Sequence, residues 1–172
     1  MIKKSEACLV LIKPDGLLKS ITGNIINDLS KTNLKIIGAK IVSVNDELAE
    51  KHYNNLKKEK GEEIFKEVLK YIKGEYHTNR VMALVYYGID ACKKIREIAG
   101  ATNPESADPT TIRGRYGRIH SKTGVFENGI HASDSKITAE REVKLWFSPN
   151  ELTEKIYETK KETKTIEQIV WS

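Results

Sequence analysis

A chain of 172 residues with 39% hydrophobic and 31% charged content is long enough for one well-buried core and too apolar to be disordered throughout. Its two cysteines, Cys8 and Cys92, lie in apolar runs without metal or disulfide-frame spacing, which points to a reducing cytoplasm, and the apolar run Ala7–Ile12 is too short for a secretory leader or a membrane span. A net charge of +5 suits a nucleotide, a nucleic acid or merely a solvated lysine-rich surface, and does not choose among them.

Ala7–Ile12 is unbroken in its apolarity and reads as a strand buried on both faces, ending at the turn sequence Lys13-Pro-Asp-Gly16. Thr22–Lys31 carries Ile25, Ile26 and Leu29 at helical spacing behind Thr22 as N-cap. Leu34–Val44 is a second strand. Asp46 caps a helix to about Leu56, with Tyr53 facing the core and its hydroxyl free to reach a site edge. Lys57–Glu63 is a charged break, followed by an amphipathic helix through Ile64, Phe65, Val68, Leu69 and Ile72. Val81–Tyr87 reads as a central strand. Asp90 caps a helix with Cys92, Ile95 and Ala99 on its buried stripe, Arg96 beside it and Gly100 as its stop.

From Ala101 to Glu127 periodicity disappears, and so long an aperiodic stretch inside a domain is usually functional or disordered; it holds Thr102, Arg113, Arg115 and Arg118. Ile130–Ala132 is a short last strand. A helix from Asp134 or Ser135 buries Ala139, Val143 and Trp146, with Glu142 alongside. Ser148-Pro-Asn-Glu151 is a capping box that starts a final helix to about Glu158. A charged extension follows from about residue 159, and its segment Ile166–Trp171 is apolar enough to be expected to dock, a neighbouring subunit being one candidate surface. Without a repeat or a linker, residues 1–172 read as one domain. The order of elements predicts an α/β (α+β) ferredoxin-like split βαβ fold: a four-stranded antiparallel sheet with helices on one face.

The densest chemistry lies in Asn128-Gly-Ile-His-Ala-Ser-Asp-Ser135, which gathers an imidazole, hydroxyls, a carboxylate and a carboxamide. A neutral imidazole near arginines suits attack on a phosphoryl group, and His131 equally reads as a hydrogen-bonded histidine in a surface turn. Gly117–Thr123 approximates a phosphate-binding P-loop but has Ser121 where the second glycine belongs, so it is rejected. Protein-kinase signatures are absent, and His52, His77, His120 and His131 have no metal-ligand spacing.

Several segments in order, Ile12–Gly16, His52-Tyr53, Ala101–Pro104, Thr111–Gly114, Asn128–Ser135 and Glu140–Phe147, resemble the nucleoside diphosphate kinase family along nearly the whole chain. The resemblance implies a ferredoxin-like subunit, Mg2+-bound nucleotide substrates (ATP and other nucleoside di- and triphosphates), and self-association, with a homo-hexamer favoured over a tetramer or dimer. It implies a Mg2+-dependent phosphotransferase in which His131 is the phosphorylated nucleophile and Ser133 and Glu142 support it. Lys13, Tyr53, Arg96, Thr102, Arg113 and Asn128 are then the nucleotide and phosphate contacts. Arg96, Thr102 and Arg113 would take phosphate oxygens, while Lys13 and Asn128 would reach the sugar hydroxyl and the transferring phosphate. No residue is expected to bind the metal directly, although Asp134 can reach it through water. No membrane and no specific nucleic acid is implied.

Two departures from the family pattern stand out. Its Arg-Pro-Phe-Phe segment is replaced by Lys58–Phe65, which places Ile64 at the base-stacking position and Phe65 next to it. An insertion also lies between Arg113 and His131, in a loop that packs at subunit contacts in the family. A nucleic-acid-binding module of the same topology is the main alternative, although it lacks the aromatic pattern such modules use; a catalytically dead scaffold is the third.

Overall fold

The computed structural model describes residues 4–163 and Trp171, so the predicted docking of Ile166–Trp171 falls, apart from its last residue, outside the described residues. β1 (Ser5–Ile12) is central because both of its faces are apolar: Cys8, Val10 and Ile12 point one way and Ala7, Leu9 and Leu11 the other, all buried. β2 (Lys35–Ser43), β3 (Arg80–Ile89), β1 and β6 (Ile130–Ala132) form one antiparallel sheet in the order β2-β3-β1-β6. That is the predicted ferredoxin-like sheet.

The helices cover both faces, not one. α2 (Thr22–Ser30) and α6 (Ala91–Ala99) pack on the Cys8–Val10–Ile12 side. α3 (Asp46–His52), α5 (Glu62–Ile72) and most of the buried side of α8 (Lys136–Trp146) pack on the Leu9–Leu11 side. The two-sided apolarity of β1 requires this, since an uncovered face would leave large aliphatic side chains in water.

Local differences from the sequence reading have local causes. Pro14–Leu18 is a short helix, α1, because proline fits the first helical turn. Thr22 does not cap α2; Ile21 occupies that position without a side-chain bond. Asn45, not Asp46, caps α3 by accepting from the Leu48 N–H at 2.9 Å. The charged break is largely helical: α4 (Leu56–Lys60) carries no apolar stripe, and ion pairs such as Lys57–Glu62 link it to α5.

The aperiodic stretch also contains structure. Pro104–Ser106 forms a 3-10 turn, α7 spans Ile112–Tyr116, and β4 (Arg118–Ile119) pairs with β5 (Phe126–Glu127). The box at Ser148 closes as read, with the Ser148 N–H on Glu151 Oε2 at 2.8 Å, but the turn stops at Pro149–Glu151. Tertiary contacts end it: the Thr153 N–H donates to the Ile37 carbonyl at 2.8 Å, at the irregularity in β2, and Leu152 packs on the core. No helix among the described residues is long and apolar enough to cross a membrane.

Candidate active site

His131 lies opposite Leu11 in the β1–β6 pairing, and cross-strand partners share a face. The imidazole therefore projects to the side covered by α3 and α8, with its side chain 20% exposed. Its Nε2 meets Glu142 Oε2 at 3.0 Å. The same oxygen accepts the Ser133 hydroxyl at 2.6 Å, while Ser133 Oγ accepts the Leu9 N–H at 3.1 Å. Arg141 approaches the second Glu142 oxygen at 3.4 Å. The carboxylate is thus oriented from three sides, and it in turn orients the ring and leaves Nδ1 for a reactant.

A second set of groups is cationic. Lys13 follows β1 directly; its N–H donates to the Gly129 carbonyl at 2.9 Å and its ammonium to Asn128 Oδ1 at 2.8 Å. Asn128 passes the link on, donating to the Thr102 carbonyl at 2.7 Å. Asp15, fully buried, accepts the Gly129 N–H at 3.0 Å and the Tyr71 hydroxyl, pinning the Lys13 segment to the loop before β6. Gly129 has φ of +71°, a conformation that disfavours a side chain.

Arg113 reaches from α7 to the carbonyls of Gly100 at 2.7 Å and Ile130 at 3.1 Å. α7 itself is capped by Thr111 Oγ1, which accepts from the Gly114 N–H at 3.2 Å, and tied to α2 by an Arg115–Asp28 ion pair. Gly100 has φ of +85°, and a Cβ there would meet Thr111 Oγ1 at 2.2 Å, so only glycine allows both the α6 stop and the α7 cap.

Lys13 and Arg113 are both buried and both bonded to neutral oxygens. Burial first, then the nearby Arg113, pulls the Lys13 ammonium down to about 8; burial and Arg96 pull Arg113 down to about 10. Arg113 Nε is buried without a hydrogen-bond partner among the described residues, and so is the Tyr53 hydroxyl, whose ionisation burial and Glu142 oppose. Two buried cations, of which Arg113 depresses the protonation of Lys13, with donors unspent, make a cradle that suits an anion.

Of the remaining sequence-derived residues, Arg96 is exposed on α6, where its charge acts on Arg113 and on Asp134. Thr102 contributes its carbonyl to Asn128 and is itself exposed. Asp134 is exposed and kept below the usual carboxylate range by Thr138 and Ser135. Ile64 is 50% exposed on α5, whereas Phe65 packs against the core, so the two residues at the base-stacking position divide between solvent and interior.

The fold also joins residues whose spacing suggested nothing. Ligand atoms of His52, His131 and Glu142 lie within 4.8 Å of one another, close enough for an ion by distance. His52 Nδ1 is committed to the Trp146 N–H at 3.2 Å, and Glu142 to Ser133, His131 and Arg141, so these atoms are already engaged and His52 meets His131 through its ring alone. Asp15 and Glu127 were missed as organisers. Glu127 takes His77 at 2.9 Å, Arg118 at 2.5 Å and Lys19 at 3.6 Å, and so anchors the hairpin just before Asn128. The only hint was a carboxylate beside each motif; the partners are remote in sequence.

The nucleoside diphosphate kinase family model matches residues 6–152. The chain is similar to the nucleoside diphosphate kinase of Pyrococcus furiosus, with 42% identity over 87% of each sequence. It is also similar to that of Staphylococcus epidermidis, with 38% identity over 87% of this chain and 92% of the relative. Among solved structures, a transition-state mimic of the Borrelia burgdorferi nucleoside-diphosphate kinase with bound vanadate and ADP superposes with a TM-score of 0.79. That match has 30% identity and covers 89% of this chain and 93% of that one. With this match spanning the sheet, the cradle and the His131 arm, the chain belongs to the nucleoside diphosphate kinase family.

Proposed function

We propose that this protein moves the γ-phosphate of a nucleoside triphosphate to a nucleoside diphosphate by a ping-pong cycle through phosphohistidine at His131. The observation that carries this reading is the juxtaposition of an oriented imidazole with buried, unspent cations. Its Nε2 is held by Glu142, and Arg113 bonds the carbonyl of the adjacent Ile130. In the first half-reaction His131 Nδ1 attacks the γ-phosphorus, an N–P bond forms, and the bond to the β,γ-bridging oxygen breaks, releasing the diphosphate. In the second, a terminal oxygen of the incoming diphosphate attacks the phosphorus and the N–P bond breaks, regenerating the imidazole.

The transferring group is metaphosphate-like, so alignment and dispersed positive charge do most of the work. Arg113 and Lys13 supply the charge, and Arg113 does so through a planar fork suited to two oxygens. Glu142 stabilises the positive charge that develops on the ring, and Ser133 keeps Glu142 in place. Tyr53 adds an unspent hydroxyl at the same face, and Arg96 and Thr102 edge the cradle. The Borrelia relative, which holds ADP and vanadate, supports a site of this type.

Magnesium fits only as part of the substrate. It prefers oxygen ligands and keeps several waters, and Asp134 is the exposed carboxylate near Arg96 and His131 that can meet one of those waters. Carried in on the nucleotide, the ion neutralises phosphate charge. The same reading includes a cytoplasmic homo-oligomer, a hexamer by preference. Exposed Ile36 and Ile41 on β2, an outer strand of the sheet, support self-association, and a solution mass tests it.

Initial rates measured while both nucleotides are varied test the cycle. The proposal predicts parallel lines in double-reciprocal form, because each half-reaction is independent. Intersecting lines, the mark of a ternary complex, would remove it.

A further inference from the structure

His52 takes no part in the transfer steps above, yet its ring stands directly against that of the nucleophile. It ends α3, is buried, and has its centroid 4.5 Å from that of His131 at an interplanar angle of 79°, edge against face. Its own position is fixed from α8. The Trp146 indole N–H donates to its Nδ1 at 3.2 Å, and Arg141 donates to the carbonyls of Lys51 at 2.9 Å and His52 at 3.4 Å. Glu142 Oε1 lies 3.9 Å from the same Nδ1. The helix that carries the supporting carboxylate therefore also clamps the residue that faces the nucleophile.

An indole N–H only donates, so His52 Nδ1 is the acceptor and the proton of the neutral ring resides on Nε2. Burial, above all, keeps the ring neutral, and the basic groups facing it, His131, Arg141 and Lys13, disfavour a proton on it as well. Nε2 is buried without a hydrogen-bond partner among the described residues. Around the ring, edge to face, stand Tyr53 at 4.6 Å, His131 at 4.5 Å and Trp146 at 5.5 Å. A buried polar atom without a partner costs stability, so this ring is held against the nucleophile at an energetic cost.

The His131 ring needs such a neighbour. The second torsion of histidine is broad and roughly two-fold, so intrinsic preference does not choose which nitrogen faces the substrate. One hydrogen bond to a carboxylate shared with Ser133 is a thin restraint for a ring that must keep its orientation through every turnover.

We propose that His52 is a positioning residue: packed against the imidazole of His131, it bars the half-turn about Cβ–Cγ that would take Nε2 off Glu142. It thereby keeps Nδ1 as the only nitrogen offered to phosphate. This rests on the phosphohistidine reading. A neutral ring suits the role, because a charged one would add a cation beside Lys13 and Arg141.

Phosphorus NMR of the full chain loaded from ATP distinguishes a phosphoryl group on Nδ1 from one on Nε2. The unmutated protein is expected to show the Nδ1 species alone. His52→Ala should give a mixture and slow loading by roughly tenfold or more with little change in the KM for ATP, as expected when a reacting atom is misplaced rather than a substrate lost. His52→Phe, which restores a flat ring without nitrogens, should recover the single species. His52→Gln, which keeps an acceptor for Trp146 but no ring, should not. That pair decides the matter even if the alanine variant does not fold. A single Nδ1 species loaded at the unmutated rate in folded His52→Gln overturns the inference. Failure of the unmutated chain to form any phosphohistidine overturns instead the reading beneath it.

Discussion

The two ends of the proposed nucleotide site are built differently. At the transfer end, His131, Ser133, Lys13 and Glu142 hang from β6, β1 and α8, and each polar group is tied by bonds of 2.6–3.1 Å to a neighbour that is itself buried. At the base end, α4 buries nothing, α5 starts with charged residues, and the residue at the stacking position is half in water. Groups that tolerate little displacement are mounted on the sheet, whereas the proposed base end offers a half-exposed aliphatic side chain that reads no hydrogen-bond pattern.

The contrast can be tested from the strongest effect downward. His131→Ala is expected to remove turnover by on the order of 10^4-fold or more, since without the nucleophile neither half-reaction has a route; a coupled nucleotide assay reads it. Arg113→Ala should cost roughly 10^2- to 10^3-fold in kcat, the loss seen when a fixed donor to developing charge is removed. Arg113→Lys should recover only part of this, because an ammonium lacks the fork. Glu142→Gln should lower kcat by roughly 10- to 100-fold with a smaller change in KM, as for a group acting through another. Were KM to carry the whole effect, Glu142 would not be supporting the ring.

The pH dependence of nucleotide binding probes the cradle itself. With its ammonium depressed to about 8 by burial and by Arg113, free Lys13 is charged below that pH and loses its proton above it. Bound polyphosphate favours the charged form, so affinity should be greatest below about pH 8 and weaken as pH rises through it. Calorimetric titration with ADP between neutral and alkaline pH should show this decline, and Lys13→Gln should flatten it. The smallest effect is expected at the other end. Ile64→Ala should change kcat/KM by no more than roughly twofold for purine and pyrimidine nucleotides alike, the scale of an ordinary surface substitution. A large, base-dependent loss would show that the two ends are less different than their burial suggests.

Most of the transfer end is legible in the sequence. β1 announces itself by apolarity on both parities, α8 by Ala139, Val143 and Trp146, and the motif segments place His131, Asn128, Lys13, Arg113 and Glu142 on elements that the sheet then brings together. Less was legible where structure depends on charge or distance. α4 has ion pairs in place of a stripe, and α7 is too short for periodicity to register, its signal being a single Thr111 cap. The helix expected after Ser148 began correctly and was ended by contacts with β2, over a hundred positions earlier in the chain. Asp15, Glu127 and His52 act through partners that no spacing joins, so their burial is visible only in three dimensions.

The central claim is that phosphate rests covalently on His131 between two nucleotides. The direct measurement is to incubate the protein with γ-labelled ATP and magnesium, strip off all nucleotide, and follow the label on the isolated chain. Acid-labile, alkali-stable label at His131, leaving in stoichiometric amount as GTP when GDP alone is added, is the predicted result. A stripped protein that carries no label, or whose label survives His131→Ala, would contradict it.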